Sequence, residues 1–353
     1  MPPSPDITAA LVPYFHLRYR ARCNLRCFFC YERPHPRSVP RDVVAELERQ
    51  LRTARRAGYR VVVFGSAELL LLPGWREAVA AARRLGFAGV RMLSNLLAVN
   101  ERTLDELARA GVDGITGTLF AADDANAQAV SGGRRVFSRQ TEAVRRIAAH
   151  GAFSLALHLI LTRSLATDPC GNALRLRDAL APGLDRMILS AIEPVSAAVA
   201  GHPQYVHGLE LDWPGMLARA DREGLRLIVQ NIPACRLGRY AHRTLFLRMR
   251  VARILEGWPS SPSLARFVDR TEGLARRTAP AGPCVGCPLL AVCHRYFDYP
   301  IRRRVRGLDE RGVVRRLLAE EGVRGTPECI VAGLRAIESR TPRRARRGAC
   351  SAR

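Results

Sequence analysis

Three cysteines, Cys23, Cys27 and Cys30, lie within eight residues at C-x3-C-x2-C spacing, in the run Arg22-Cys23-Asn24-Leu25-Arg26-Cys27-Phe28-Phe29-Cys30-Tyr31. Thiolates this close can share one metal centre, and they are the ligands that suit iron–sulfur clusters. A cubane held by three of them keeps one iron without a protein ligand, which a catalytic cluster needs. Structural zinc takes four ligands, so a zinc site or three unrelated core cysteines is the competing reading. A second set, Cys284, Cys287 and Cys293, is spaced C-x2-C-x5-C and flanked by Pro283 and Pro288. A closed site there needs a fourth ligand, for which Cys235, Cys170, Cys329 and His294 are the candidates. Four such thiolates would also satisfy tetrahedral zinc.

The elements that position these loops are read from hydrophobic period. Residues 14–19 alternate like a strand and lead into the first cysteine loop. Residues 40–57 then place Val43, Val44, Leu47, Leu51 and Ala54 on one helical face, closed by Gly58. Strands are expected at 59–64, 90–93, 112–120, 153–161 and 184–189, with helices at 74–85, 101–110, 138–150 and 172–180. Six strands with crossover helices imply an all-parallel sheet, either closed, partly closed or doubly wound, whose chemistry sits at the C-terminal strand ends. The first cysteine loop is in that place. Beyond residue 224 the pattern changes: one more strand at 225–229, helices at 240–255 and 263–276, the second cysteine set, and short closing helices at 313–321 and 330–339.

Composition narrows the function classes. A chain of 353 residues with 48% hydrophobic residues can bury a sizeable core. No apolar run reaches the roughly 18 residues of a membrane span, and the N-terminus lacks a secretory pattern, so a cytoplasmic protein is expected. Ten cysteines in such a chain favour metal or cluster ligation over a disulfide framework. The formal charge of +24 raises a nucleic-acid partner. Every basic residue is arginine, spread at helix-surface spacing as in Arg52, Arg55 and Arg56, or Arg83 and Arg84. A solvated surface is the better expectation, with residues 340–353, which hold six arginines and no acid, as a flexible basic tail.

The C-x3-C-x2-C loop, with aromatic Phe29 before its last cysteine, resembles that of the radical S-adenosylmethionine (SAM) superfamily. The resemblance implies that Cys23, Cys27 and Cys30 bind a [4Fe–4S] cluster and that SAM chelates its fourth iron. An electron then breaks a C–S bond of SAM, giving methionine and a 5'-deoxyadenosyl radical. Gly65-Ser66-Ala67-Glu68-Leu69 resembles the family's Gly-Gly-Glu-Pro motif after the second strand, with small residues kept at Ser66 and Ala67 and the acceptor at Glu68. Ser94-Asn95-Leu96 is similar to the Thr-Asn-Gly that closes the third strand, and Thr118 stands where many members have a SAM-bonding serine. Residues 121–144, with Ser131-Gly132-Gly133, resemble the fourth loop and helix, and Ile192-Glu193-Pro194 is a candidate adenine contact.

The second thiol set looks like a shortened auxiliary-cluster domain, of the twitch or reduced SPASM kind. Within that resemblance Cys235, preceded by Pro233, is the chosen fourth ligand, and Phe297 stands where a full SPASM pattern has a further cysteine. The expectation is therefore an α/β protein: a partial (β/α)6 TIM-type barrel over residues 1–224, an auxiliary [4Fe–4S] domain over 225–339, and the tail. Its cofactors would be two [4Fe–4S] clusters and SAM. Hydrogen abstraction from a small metabolite or peptide is the expected reaction, with flavodoxin or ferredoxin as electron donor. With 22 residues before Cys23, an N-terminal peptide-recognition domain is not expected. Cys329 and Cys350 are secondary candidates as ligands or hydrogen donors. An RNA-modifying radical SAM enzyme and a non-catalytic zinc or iron–sulfur protein are the alternatives.

Overall fold

The computed structural model describes residues 11–19, 21–30, 39–255, 284–293 and 307–340. The expected helix at 263–276, His294, Phe297, Cys350 and the basic tail beyond Arg340 lie outside the described residues.

Seven strands, β1 (Tyr14–Leu17), β2 (Val61–Phe64), β3 (Gly89–Ser94), β4 (Gly114–Leu119), β5 (Ser154–Leu161), β6 (Arg186–Ala191) and β7 (Arg226–Gln230), form one parallel sheet in chain order. Right-handed crossovers without a reversal of strand order put the crossover helices on the same face. The sheet therefore curls into a partial barrel with a ring of helices outside it. That ring includes α1 (Val43–Arg56), α2 (Trp75–Arg84), α3 (Glu101–Ala110), α5 (Phe137–His150), α6 (Arg163–Ala166), α7 (Pro169–Leu180) and α9 (Trp213–Arg222), whereas α4 (Asp124–Val130) and α8 (Ala197–Ala200) pack with the first cysteine loop. Sheet and ring share one core, in which Phe15, Val62, Phe64 and Met92 meet Leu47, Leu51, Val79 and Leu107. The face Val43, Leu47, Leu51 and Ala54 is buried as its spacing requires.

The concave side is closed by a helix the sequence placed beyond the barrel. In α10 (Leu245–Leu255), Met249 packs both on Tyr14, Val61 and Val63 and on Ile188 and Ile228. One helix thus bridges early and late strands across the interior, and strands buried on both faces read as apolar runs such as Val61–Phe64. The expected helix at 240–255 is in fact a 3-10 segment, Gly238–Arg243, followed by α10. The break has a cause: Thr244 forms a parallel bridge with Val229, which holds its backbone extended at ψ 130. The strand expected at 225–229 pairs with β6 from Arg226 to Gln230, so the sheet runs past residue 224 and has seven strands rather than six. The helix α9 is absent from the sequence reading, although Trp213, Leu217 and Ala220 are its buried face. No helix among the described residues is long and apolar enough to cross a membrane.

Arginine, expected at the surface, does much of the internal tying. The helices Glu310–Glu320 and Pro327–Arg340 pack on α10 through Val314, Leu317, Leu334 and Val251. Glu321 accepts from Arg248 at 2.6 Å and Arg186 at 2.9 Å, and its side chain is 1% exposed. Glu320 accepts from His242 at 2.5 Å and Arg243 at 3.2 Å, and forms an ion pair with Arg226 at 3.1 Å. Burial alone would raise the Glu320 carboxyl, but the His242 hydrogen bond and the Arg243 charge outweigh it and hold it at about 2. Glu321 is lowered in the same way, against burial, by Arg248 and Arg186.

Removing one partner of a buried pair strands the other. Glu321→Ala is expected to lower the unfolding free energy by about 3–5 kcal/mol at pH 7, read by chemical denaturation. Because both carboxyls are depressed in the folded state, their contribution is complete above the ordinary value of 4.5 and is lost as pH falls below it through each folded-state value, about 2 for Glu320. A Glu321→Ala deficit that does not shrink as the pH is taken progressively below 4.5 would contradict this account.

Candidate functional site

All seven strands aim their C-terminal ends at one cavity of about 230 Å³. The loop after β1 contributes Cys23, Cys27, Phe29 and Cys30; the loop after β2 contributes Gly65, Ser66, Ala67 and Glu68. Ser94 and Asn95 enter from β3, and Thr118 and Phe120 from β4. The far wall comes from His158 and Ile160 on β5, Ser190 to Glu193 on and after β6, and Gln230 and Asn231 of β7. The first cysteine set and the residues matched to SAM-contacting motifs therefore share one cavity.

Glu68 is the junction of this rim. It is 1% exposed. Ser94 Oγ donates to its two oxygens at 3.0 and 3.1 Å, and the Asn95 backbone N–H donates to Oε2 at 3.0 Å. Burial pushes the Glu68 carboxyl up to about 7, against the hydrogen bonds from Asn95, Ser94 and Leu70. Asn95 then reaches the cysteine loop, its Nδ2 donating to Asn24 Oδ1 at 2.7 Å and standing 3.5 Å from Cys23 Sγ. The turn after Asn95 uses a left-handed Leu96, φ 71, where the resembling motif has glycine. Ser94 Oγ accepts from the Leu96 N–H at 2.8 Å and Asn95 Oδ1 from the Leu97 N–H at 3.1 Å, which hold a conformation costing roughly 1–2 kcal/mol. Gln140 of α5 donates to the carbonyls of Asn95 and Thr118 at 3.1 Å each, joining the ends of β3 and β4.

The cysteine loop is fixed from below by α4. Arg26 and Phe28 donate their N–H groups to the carbonyls of Ser131 and Val130, at 3.1 and 3.2 Å. Gly132 is left-handed at φ 77, and a Cβ there would lie 2.8 Å from Arg26 Cβ, so that approach requires glycine. Gly65 is constrained similarly, since a Cβ would fall 1.9 Å from His16 Nε2. Phe29 packs edge-on against Phe28 and Phe120 with centroids 5.5 and 6.0 Å apart, and Phe28 stacks on His202 at 3.8 Å. Ser66 is 5% exposed and its hydroxyl donates to the Leu17 carbonyl at 3.2 Å, tying β2 to β1. Burial raises the Cys23 thiol, with Glu68 adding to the effect and hydrogen bonds from Leu25, Asn95 and Asn24 opposing it.

The thiols of the second set are neighbours. Cys235 lies in a 3-10 turn, Ala234–Arg236, and burial pushes its thiol up to about 12, with Cys293, Cys287 and Cys284 adding to the rise. Cys293 is buried in the cluster of Leu247, Val251 and Leu289, with Cys235 and Cys287 packed against it. The Ala291 peptide between Cys287 and Cys293 is held at both ends, its N–H donating to Glu310 at 2.6 Å and its carbonyl accepting from Arg250 at 3.3 Å. Cys170 belongs to the barrel core and Cys329 is exposed. Among the described residues no group of three or more His, Cys, Asp or Glu side chains is drawn to metal-ligating geometry. The thiols of each set are neighbours on tight loops rather than a closed cage.

Sequence reasoning missed three polar residues in this cavity. His158 Nε2 lies 2.6 Å from Ser190 Oγ, which donates to Gln230 Oε1 at 3.0 Å. A histidine inside the apolar run Ser154–Leu161 was the available signal. Burial lowers both His158 and its neighbour His16 to about 4, so both rings are neutral at pH 7.

Comparison with known proteins agrees with this geometry. Residues 19–163 match the Radical SAM superfamily. GTP 3',8-cyclase of Chlorobaculum tepidum is 27% identical over 158 residues, 44% of this chain and 47% of that protein. PqqA peptide cyclase of Streptomyces rochei is 29% identical over 212 residues, 55% of this chain and 56% of that protein. The chain spans about half the length of these curated relatives. The crystal structure of Streptococcus suis SuiB bound to precursor peptide SuiA shares the fold, with a TM-score of 0.50 at 16% identity over 63% of this chain and 50% of that one.

The buried Glu68 carries a pH signature in the cofactor-free protein. Its folded value is above the ordinary 4.5, so charging it costs stability: the cost is absent below 4.5 and complete above about 7. Relative to the wild type, Glu68→Gln is expected to gain up to about 3 kcal/mol between pH 4.5 and pH 8, read by denaturant titration at several pH values. A wild-type to variant difference that is flat over that range would show that Glu68 is not a desolvated carboxylate.

Proposed function

We propose that this chain is a radical SAM enzyme, in which Cys23, Cys27 and Cys30 hold a [4Fe–4S] cluster and the adjoining cavity holds SAM. The observation that carries the proposal is the meeting of those thiols with a buried carboxylate at one strand-end cavity, inside the segment that matches the superfamily. When bound, the cluster and SAM supply a 5'-deoxyadenosyl radical by reductive C–S cleavage.

The chain's own groups fit that pair. Glu68 is a desolvated carboxylate whose donors Ser94, Asn95 and Leu70 are uncharged, and an α-ammonium group would supply the charge that burial withholds. Asn95 orients the Cys23 sulfur through its Nδ2 group and fixes Glu68 through its backbone. Phe29 and Phe120 wall the cavity and keep water from the reacting centre. Thr118, Ser66 and Ala67 line the space left for the rest of SAM, and Ile192 and Glu193 lie on its far side.

Cys235, Cys284, Cys287 and Cys293 would hold an auxiliary [4Fe–4S] cluster of the twitch or SPASM kind. Four protein ligands leave no open iron, which favours electron relay or bracing over direct substrate binding. The proposed reaction is hydrogen abstraction from an unactivated carbon of a peptide or small metabolite, with flavodoxin or ferredoxin as electron source. A peptide substrate accords with two of the similar proteins, one named a peptide cyclase and one solved with a precursor peptide.

Anaerobic reconstitution tests the two-cluster arrangement. The wild type is expected to hold about eight iron and eight sulfide per chain, and Cys23→Ala and Cys284→Ala about half of each. SAM is expected to change the electron paramagnetic resonance spectrum of the reduced wild type, with apparent SAM affinity at least tenfold weaker in Glu68→Gln, as loss of a charge-assisted hydrogen bond implies. Zinc bound through Cys284 in place of iron would refute the auxiliary cluster. A SAM response unchanged in Glu68→Gln would refute the assigned role of Glu68.

A further inference from the structure

The chain His158–Ser190–Gln230 crosses three adjacent strands on the cavity side of the sheet. Ser190 has one proton and gives it to Gln230 Oε1. Its Oγ must then accept from His158, which sets the Nε2–H tautomer and makes Nδ1 the acceptor of that ring. The same bond uses the oxygen of the Gln230 carboxamide, so its NH₂ group is the end that presents donors. Ser190 is 2% exposed, which fixes the middle of the chain, and Asn231 steadies its end by donating to the Ala191 carbonyl at 3.1 Å. The far wall thus offers one neutral acceptor and neutral donors in a fixed arrangement.

The charged side chains of the described lining are the carboxylates Glu68 and Glu193. The imidazole stays neutral because it is buried beside a second buried imidazole, His16. An anion placed here would meet these carboxylates, and no cationic side chain is among the described lining residues. A neutral amide, with one C=O and its N–H, matches the acceptor and donors without adding charge.

We propose that His158, Ser190 and Gln230 form the substrate-recognition subsite and that they take a neutral amide, a peptide group or carboxamide, rather than a phosphate or a carboxylate. This rests on the radical SAM reading only in taking the neighbouring thiols as the place where the reaction starts. The three side chains read the substrate, and the thiol face acts on it.

The test uses the reconstituted full chain with SAM and ligand-observed NMR. N-acetylglycinamide is the amide probe, with inorganic phosphate and acetate run in parallel. The amide is expected to bind saturably, and about tenfold more weakly in both Ser190→Ala and Gln230→Glu. Gln230→Glu keeps the size and the acceptor for Ser190 while removing the donors, and it decides the matter if Ser190→Ala fails to fold. Phosphate or acetate displacing the amide from the wild type, or Gln230→Glu binding it as the wild type does, would overturn the proposal. The SAM-induced change in the wild-type paramagnetic spectrum reports separately on the radical SAM reading. Its absence would remove that reading and leave the amide result standing.

Discussion

A carboxylate buried where three chain segments meet organises the rim of this barrel. Glu68 ends the β2 loop, receives the side chain and backbone of the β3 turn, and through Asn95 is tied to the cysteine loop. Burying a charge without a charged partner is unfavourable, and the raised value of about 7 expresses that cost. A fold keeps such a group where binding a cation relieves the cost. The same hydrogen bonds orient the sulfur of Cys23, so the groups proposed to hold cofactor and cluster are set by one network.

That network depends on strand order. Seven parallel strands in sequence leave no switch point, so every loop leaving a strand end opens on the same rim. Closure of the concave side by α10 fixes how far the first and last strands stand apart. The C-terminal helices hold α10 and β6 in turn through Glu321 with Arg248 and Arg186. Arg250 of α10 and Glu310 grip the Ala291 peptide, so the helix that fills the barrel also sets the second thiol loop. The two thiol sets are thereby linked mechanically through packed side chains.

Much of this was legible in the sequence because it is local. The C-x3-C-x2-C run, the face of α1 and the small residues ahead of Glu68 are patterns within a dozen residues. The all-parallel sheet followed from alternation of strand and helix periods, and the partial barrel from the resemblance to the radical SAM superfamily. What the sequence concealed is long-range. His158, Ser190 and Gln230 come together through β5–β6–β7 register, and no spacing along the chain announces them. The internal role of arginine was hidden too, because Arg186, Arg243 and Arg248 look like surface charge until Glu320 and Glu321 fold back onto them. Leu96 gave no sign of its left-handed backbone, since the residue type argues against it and only the Ser94 and Asn95 turn imposes it. The seventh strand was assigned beyond the barrel because the change in pattern after residue 224 reflects the crossover to α10 rather than the end of the sheet.

The most direct test is the release of 5'-deoxyadenosine, quantified by chromatography after SAM and dithionite are added to the anaerobically reconstituted chain. The account expects 5'-deoxyadenosine and methionine in equal amounts from the wild type and none from Cys27→Ala. A wild type with its clusters intact that leaves SAM uncleaved would contradict it.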